Sequence, residues 1–272
     1  MSTTSKIHLK TFFLLFCLGF VITVYSQGST IGRVTYKETI AKSGQESIVY
    51  YYDLFFNNSV SVYEEDLSKT HFGQVISPNS DGTFNVLTVP FRNEPLFVYT
   101  SLKERKRIFQ IFLLNEKRTI EDKFEKISWE LKAEVKEIGS FQCQKATGNF
   151  RGRNYTVWFT TKIPVNFGPW KFEGLNGLIL EVEEEYGLYH VIATDIDLYT
   201  SEPDEVKQKI SDYTKISPGL TFKSFLDLLS IHNEKSEKIA RSKLSKGQTP
   251  MAENHSLWML EKFEPNLAGN KN

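Results

Sequence analysis

Side chains able to do chemistry are sparse in this chain, and they fall into three groups. Cys143 lies inside the strand-like run Phe141-Gln142-Cys143-Gln144-Lys145, and His190 is the histidine that would serve it as a base. That pairing would suit a hydrolase; the competing reading of Cys143 is a small apolar core side chain. The second group is acidic: Glu181, Glu183, Asp195 and Asp197 offer the oxygen ligands calcium takes, although not at the spacing of a dedicated loop, and a charged outer strand face accounts for them equally. If Leu178 to Glu184 and Leu188 to Ile196 form a hairpin around Glu185-Tyr186-Gly187, Glu181 and Glu183 share one face. Leu180, Val182, His190 and Ile192 then share the other. There is no HExxH, GxSxG or phosphate-cradling glycine loop, and no cysteine pair or close histidine pair for zinc, so no cofactor and no metal are expected.

The third group is aromatic. From Thr160 to Val182 the sequence reads TTKIPVNFGPWKFEGLNGLILEV, with Pro164, Gly168, Pro169 and Gly174 and no period between two strand-like flanks. A long aperiodic connection inside a compact domain is usually functional or disordered, and the rings of Phe167, Trp170 and Phe172 argue against disorder. Asn176-Gly177 is a short-turn signal. Two readings stand: the loop folds back and its rings cap the core, or Phe167, Trp170, Phe172, Leu175 and Asn176 form a lip for a ligand or partner.

These residues need a scaffold, and its composition is that of a sheet: 14% of the 272 residues are aromatic. Twelve runs rich in Val, Ile, Thr, Tyr and Phe are predicted strands: 31–40, 47–56, 59–63, 83–89, 96–101, 107–114, 119–124, 127–138, 141–150, 155–161, 177–184 and 188–199. Lys42 to Gln45 has the composition of a hairpin loop. Close spacing without helical insertions predicts a mainly β fold, an antiparallel meander forming a curved sheet or open barrel. In 127–138, Ile127, Trp129, Leu131, Ala133 and Val135 alternate with Lys132, Glu134 and Lys136, so one apolar face is expected to be covered and the other wet. The composition shifts near Pro203: 205–213 and 221–244 are predicted helices, the second with an apolar stripe through Phe222, Phe225, Leu226 and Leu229. The domain expectation is thus a β-rich unit over 27–202, a helical segment over 203–244 and a mobile tail over 245–272 carrying the apolar Leu257-Trp258-Met259-Leu260.

The first 26 residues carry an address. Lys6 and Lys10 precede the apolar run Thr11 to Val24, and Val24-Tyr25-Ser26 fits a cleavage site with Gln27 as the new N-terminus. The run is shorter than the ~18 apolar residues of a membrane span, so the mature form is expected not to span a membrane. Cleavage removes Cys17 and leaves Cys143 as the single cysteine, so no intrachain disulfide is available. With 33 basic and 33 acidic residues, the chain has no basic excess for nucleic acid.

Gly174-Leu175-Asn176-Gly177-Leu178-Ile179, followed by Leu180-Glu181-Val182, resembles the signature of the GLPGLI family of exported Bacteroidetes proteins. Gly168-Pro169-Trp170-Lys171-Phe172, Trp129 with Ile138-Gly139, Phe141 to Ala146, and Tyr155 to Thr160 with Ile163-Pro164 are similar to that family's segments in the same order. The resemblance spans residues 31 to about 200 and departs at Asn176, where the family name has proline. It implies a signal, a β-rich domain, no assigned activity, no catalytic residues, and an accessory role beside TonB-dependent outer-membrane receptors. The expected function is a non-catalytic binding or accessory module of the periplasm or cell envelope, with such a receptor or an apolar or peptide ligand as partner. The alternative is an exported hydrolase with an unrecognised active site.

Overall fold

A computed structural model describes residues 30–41, 47–70, 73–78, 84–89, 93–113, 116–242 and 261. The predicted leader over 1–26, the hairpin loop at Lys42 to Gln45 and the tail over 245–272, apart from Glu261, lie outside the described residues.

The chain is mainly β. Strands β1 (Ile31–Ile40), β2 (Ile48–Phe56), β3 (Val60–Glu65), β6 (Phe97–Ser101), β7 (Lys106–Leu113) and β8 (Glu116–Asp122) form one antiparallel run; β9 (Ser128–Ile138), β10 (Phe141–Phe150), β11 (Arg153–Thr160), β12 (Leu178–Glu184) and β13 (Tyr189–Tyr199) form a second. The two runs join where β1 pairs with β13, over ten residue pairs from Ile31–Tyr199 to Ile40–Tyr189. A hairpin of β4 (Gly73–Pro78) and β5 (Phe84–Val89) stands apart, and a two-residue β14 (Leu220–Thr221) runs parallel to β8. β4 and β14 carry no strand signal in the sequence. β14 is two residues long, and Gly73 and Pro78 bound β4.

The sheet order forces a curl. β8 and β9 are consecutive in sequence yet ten strand steps apart in the sheet, which is about 48 Å if flat. Residues 123–127 reach only about 20 Å when extended. The sheet is therefore rolled into an open barrel whose two edges approach each other without pairing.

The inner face holds the main core, including Val34, Tyr36, Leu54, Phe56, Phe109, Val157, Val182 and Val191. Of the two helices among the described residues, α1 (Asp204–Thr214) lays Val206, Ile210 and Tyr213 over Phe55, Val62, Tyr99 and Ile108 on the outer face. The outer face is therefore apolar along β2, β3, β6 and β7, against the expectation of one covered side. α2 (Phe222–Ser242) is capped by the Thr221 hydroxyl, which accepts from the Ser224 N–H, and its first turns bury Phe225 and Leu229 inside.

β9 also departs from its alternation. Ile127 is buried, but Leu131 and Val135 are 57% and 58% exposed. β9 is an edge strand, and the segment that covers it reaches only its first residues, where the Trp129 indole N–H donates to the Glu173 carbonyl at 2.7 Å.

Candidate functional site

The aperiodic segment between β11 and β12 turns inward and bridges the two edges of the open barrel. Phe167 and Glu173 pair as an isolated antiparallel bridge, and the Ile179 N–H donates to the Phe167 carbonyl at 2.9 Å, so the loop lies against β12. Gly177 is required by close approach: a Cβ there would stand 2.3 Å from the Thr160 carbonyl oxygen. Trp170 adopts a left-handed backbone at φ 52°, a strained conformation for a bulky residue.

Phe167, Phe172 and Leu175 are buried, Trp170 is half-buried and Asn176 is exposed. Phe172 is ringed by Trp129, Phe150, Tyr155 and Trp170. The loop thus brings together four of the five residues expected at a lip and leaves Asn176 outside.

Lys171, Phe172 and Glu173 explain the bridging. Phe172 packs toward β9, β10 and β11, whereas the charged residues on either side reach the opposite half of the sheet. Lys171 Nζ pairs with Asp122 at the end of β8 at 2.9 Å, and Glu173 pairs with Arg107 of β7 at 3.0 Å. Arg107 and Asp122 are cross-strand partners, so they present opposite charges side by side on the inner face.

Around Lys171 a fully buried ionic seat is assembled. Arg151 occupies the β10–β11 turn with Gly152, both with positive φ, which is the backbone of a two-residue hairpin. Its Nη2 donates to Asp122 Oδ1 at 2.7 Å. Glu261 lies opposite Asp122, its Oε1 bonded to Arg151 Nη1 and 3.1 Å from Lys171 Nζ, its Oε2 3.3 Å from the same ammonium. The side chains of Asp122, Lys171 and Glu261 are wholly inaccessible and that of Arg151 is 4% exposed. Rings surround both cations: Lys171 Nζ is 3.7 Å from the Phe109 ring centre, and the Arg151 guanidinium lies 4.9 Å from Phe150 and 4.6 Å from Phe222.

Burial alone would raise the Asp122 carboxyl, but Lys171, Arg151 and Arg107 hold it below the ordinary carboxylate range. Burial lowers the Lys171 ammonium, and Asp122 and Glu261 offset part of that. For Arg151 burial is outweighed by Glu261 and Asp122, and the guanidinium is held charged. Among the described residues the seat joins two cations and two anions out of contact with water, with Arg151 and Lys171 holding the Glu261 carboxylate.

The acidic group on the outer face is differently built. Glu183 pairs with His190, and Glu181 with Ile192, so His190 and Ile192 share the face of the two glutamates and not the opposite one. The turn takes four residues, 185–188, and the one-residue slip relative to a three-residue turn reverses every side chain on β13. Glu181, Glu183 and His190 bring three potential ligand atoms within 4.8 Å of one another. Glu181 is already engaged, by His190 at 2.9 Å and by the Lys136 ammonium, which also lies over Trp158. Asp195 and Asp197 pair with Thr35 and Arg33, about 16 Å or more along β13, and are not part of the group.

Cys143 is fully buried in the inner core, where burial pushes its thiol up to about 11. That keeps it protonated at neutral pH, the inert state of a structural cysteine. Among the described residues, two grooves lie on other surfaces: one of about 560 Å³ over β9–β11, lined by Ser128, Glu130, Thr147, Asn149, Asn154 and Glu185, and one of about 390 Å³ beside α1, lined by Glu64, Lys209 and Tyr213. The lip residues line neither.

Sequence reasoning found the loop and missed the seat. Asp122, Arg151, Lys171 and Glu261 are far apart in sequence and carry no motif. One local signal was available, a lysine between two aromatic residues in an otherwise ring-rich loop. A second was the arginine at a hairpin position that favours asparagine or glycine.

No helix among the described residues is long and apolar enough to cross a membrane. Residues 74–224 match the family model described as N-glycanase peptide, N-terminal domain. No curated protein matches the chain. Among solved structures, PNGF-II in its C2 crystal form is similar at 15% identity over 75% of this chain and 33% of that one, with a TM-score of 0.48. Its P21 form has 15% identity over 75% and 34%, with a TM-score of 0.45. A LolA superfamily protein from Nitrosomonas europaea has 11% identity over 67% and 90%, with a TM-score of 0.28. The chain therefore spans about a third of the length of the PNGF-II chains. Because the family model covers more than half of the sequence, this chain belongs to the family of N-glycanase peptide N-terminal domains.

Proposed function

We propose that this protein is exported to the periplasm or cell envelope and works there as a non-catalytic binding or accessory module, associated with outer-membrane transport. The observation that carries the reading is the buried seat. Arg151 and Lys171 are fixed by Asp122 and by flanking rings, and they hold a carboxylate through ionic contacts. Rigid charges of that kind position a group and do not turn it over.

Three further features support it. The family is named for the N-terminal domain of an N-glycanase, and a module of that description fits an accessory role. The apolar run before Gln27 has the form of a leader. The similarity of Gly174 to Val182 to the GLPGLI signature points to the same compartment and to a TonB-dependent receptor as partner.

The test is native mass spectrometry of the chain, produced with its own leader and extracted from the envelope. The expected spectrum shows a mature mass starting at Gln27 with a co-purifying ligand or receptor. Release of glycan from an N-glycopeptide by the purified chain, abolished by Cys143→Ser or Glu181→Gln, would overturn the reading in favour of a hydrolase.

A further inference from the structure

β9 ends the twelve-stranded sheet, and among the described residues no strand pairs with its outer side. An edge of that kind carries backbone donors and acceptors that natural proteins ordinarily cover, or guard with charge. Leu131 and Val135 on one face, and the side chains of Glu130 and Glu134 on the other, are all more than half exposed. The Lys132 carbonyl accepts from Gln144 Nε2 at 2.7 Å and so faces β10. By alternation, the N–H and C=O of Ala133 point to the open edge. Lys145 of β10 stands opposite 132–134 as a group, a bulge that bends β9 at its middle.

The side chains along this edge form a charge palindrome. Reversing Glu130-Leu131-Lys132-Ala133-Glu134-Val135-Lys136 puts a lysine opposite each glutamate, valine opposite leucine and alanine opposite alanine. A two-fold axis normal to the sheet keeps each face on its own side, so the symmetric antiparallel registers are those centred on a residue. Centred on Ala133, Glu130 meets the second copy's Lys136, Lys132 meets its Glu134, and Leu131 meets its Val135. A centre one residue earlier sets Lys132 against Lys132 and Glu130 against Glu134; one residue later, Glu134 meets Glu134 and Lys132 meets Lys136. Like charges directly opposite are destabilising, so the pattern selects one register and opposes its neighbours. Within the chain, Lys132 pairs with Glu130 at 2.6 Å and Lys145 with Glu134 at 3.2 Å. These surface pairs are weak, and they leave the two carboxylates 73% and 57% exposed and open to a second cation.

We propose that β9 is a self-pairing edge, through which two copies of this chain join antiparallel over residues 130–136 about a two-fold axis at Ala133. The two sheets become continuous, Leu131 and Val135 are covered, and the charges on the outer face form an alternating row across the join. This is independent of the binding-module reading.

The experiment is sedimentation velocity of the full chain from Gln27 over rising concentration, which should show a reversible monomer–dimer equilibrium. Lys132→Glu and Glu134→Lys should each weaken the dimer about tenfold or more, because each turns two symmetry-related attractions into repulsions. A one-to-one mixture of the two variants restores every opposite-charge contact and should dimerise within about threefold of wild type. The register is read by cross-linking under mild oxidation. Ala133→Cys should form an intersubunit disulfide, since Cα atoms of a hydrogen-bonded pair lie about 5.5 Å apart. Leu131→Cys should cross-link only when mixed with Val135→Cys. The natural Cys143 is buried and does not compete. Ala133→Cys leaves every charge in place, so it decides the matter even where a charge reversal disturbs folding. A chain that stays monomeric throughout, a dimer indifferent to both reversals, or an Ala133→Cys dimer that does not cross-link overturns the proposal.

Discussion

The buried seat and the outer Glu181 group use the same residue types with opposite physics. Inside, Asp122, Arg151, Lys171 and Glu261 come from four separate stretches of chain and are almost entirely out of contact with water. Outside, Glu181 on β12 is itself only 6% exposed, but its partners reach water: His190 on β13 is 39% and Lys136 on β9 is 34% exposed. In the outer group burial raises the Glu181 carboxyl, but His190 and Lys136 bring it below its ordinary value. Water and salt can replace either partner there. In the seat nothing can, so each charge depends on the other three. Desolvation, and not the number of ion pairs, decides which cluster the fold depends on.

The sharpest way to break this contrast is Lys171→Met. It should cost about 3–5 kcal/mol in denaturant-induced unfolding, because Asp122 and Glu261 lose the cation that lies between them in a dry interior. A loss similar to that of a surface pair would erase the distinction.

A third carboxylate sharpens the comparison. Glu38 is buried and, among the described residues, has no cation in contact and accepts from the hydroxyls of Tyr189 and Tyr63, at 3.1 and 3.3 Å. Burial raises its carboxyl from 4.5 to about 7, and the two hydroxyls offset part of that. An acid whose pKa rises on folding penalises the native state once ionised, so stability should fall as pH rises from 4.5 to about 7 and level off above it. The fall is about 3 kcal/mol at 1.36 kcal/mol per unit, and Glu38→Gln should flatten it in unfolding measured across that range.

Trp170→Ala comes next. The ring is half-buried against Phe150, Phe172 and Lys171, so the loss should be about 2 kcal/mol, roughly half that of a fully enclosed tryptophan. An unchanged midpoint would mark a free recognition lip, and a loss of about 4 kcal/mol would mark a core residue. Glu181→Gln should have the smallest effect, under about 1 kcal/mol and diminished by salt.

Much of the scaffold was legible because period-two alternation reports directly on a half-buried strand; the twelve predicted runs correspond to the strands other than β4 and β14. What alternation cannot report is which strands are neighbours. The pairing of β1 with β13, which rolls the sheet, depends on contacts between segments far apart in the sequence. The same limit applied to the site. The loop showed itself by its prolines, glycines and rings, yet the partners of Lys171 lie in β8, in a hairpin turn and beyond α2. The face assigned to His190 failed over a single turn residue, since a register shift of one inverts a strand. Leu131 and Val135 matched the apolar pattern but stand on an edge that the loop does not reach.

The most direct test is a double-mutant cycle between Lys171 and Glu261, measured by denaturant unfolding. If the seat is one dry ionic unit, Lys171→Met and Glu261→Gln should each be strongly destabilising. The double variant should then lose little more than either single, a coupling of about 2 kcal/mol or greater. Losses that add to within about 0.5 kcal/mol would show that Glu261 and Lys171 do not depend on each other, and would contradict the account.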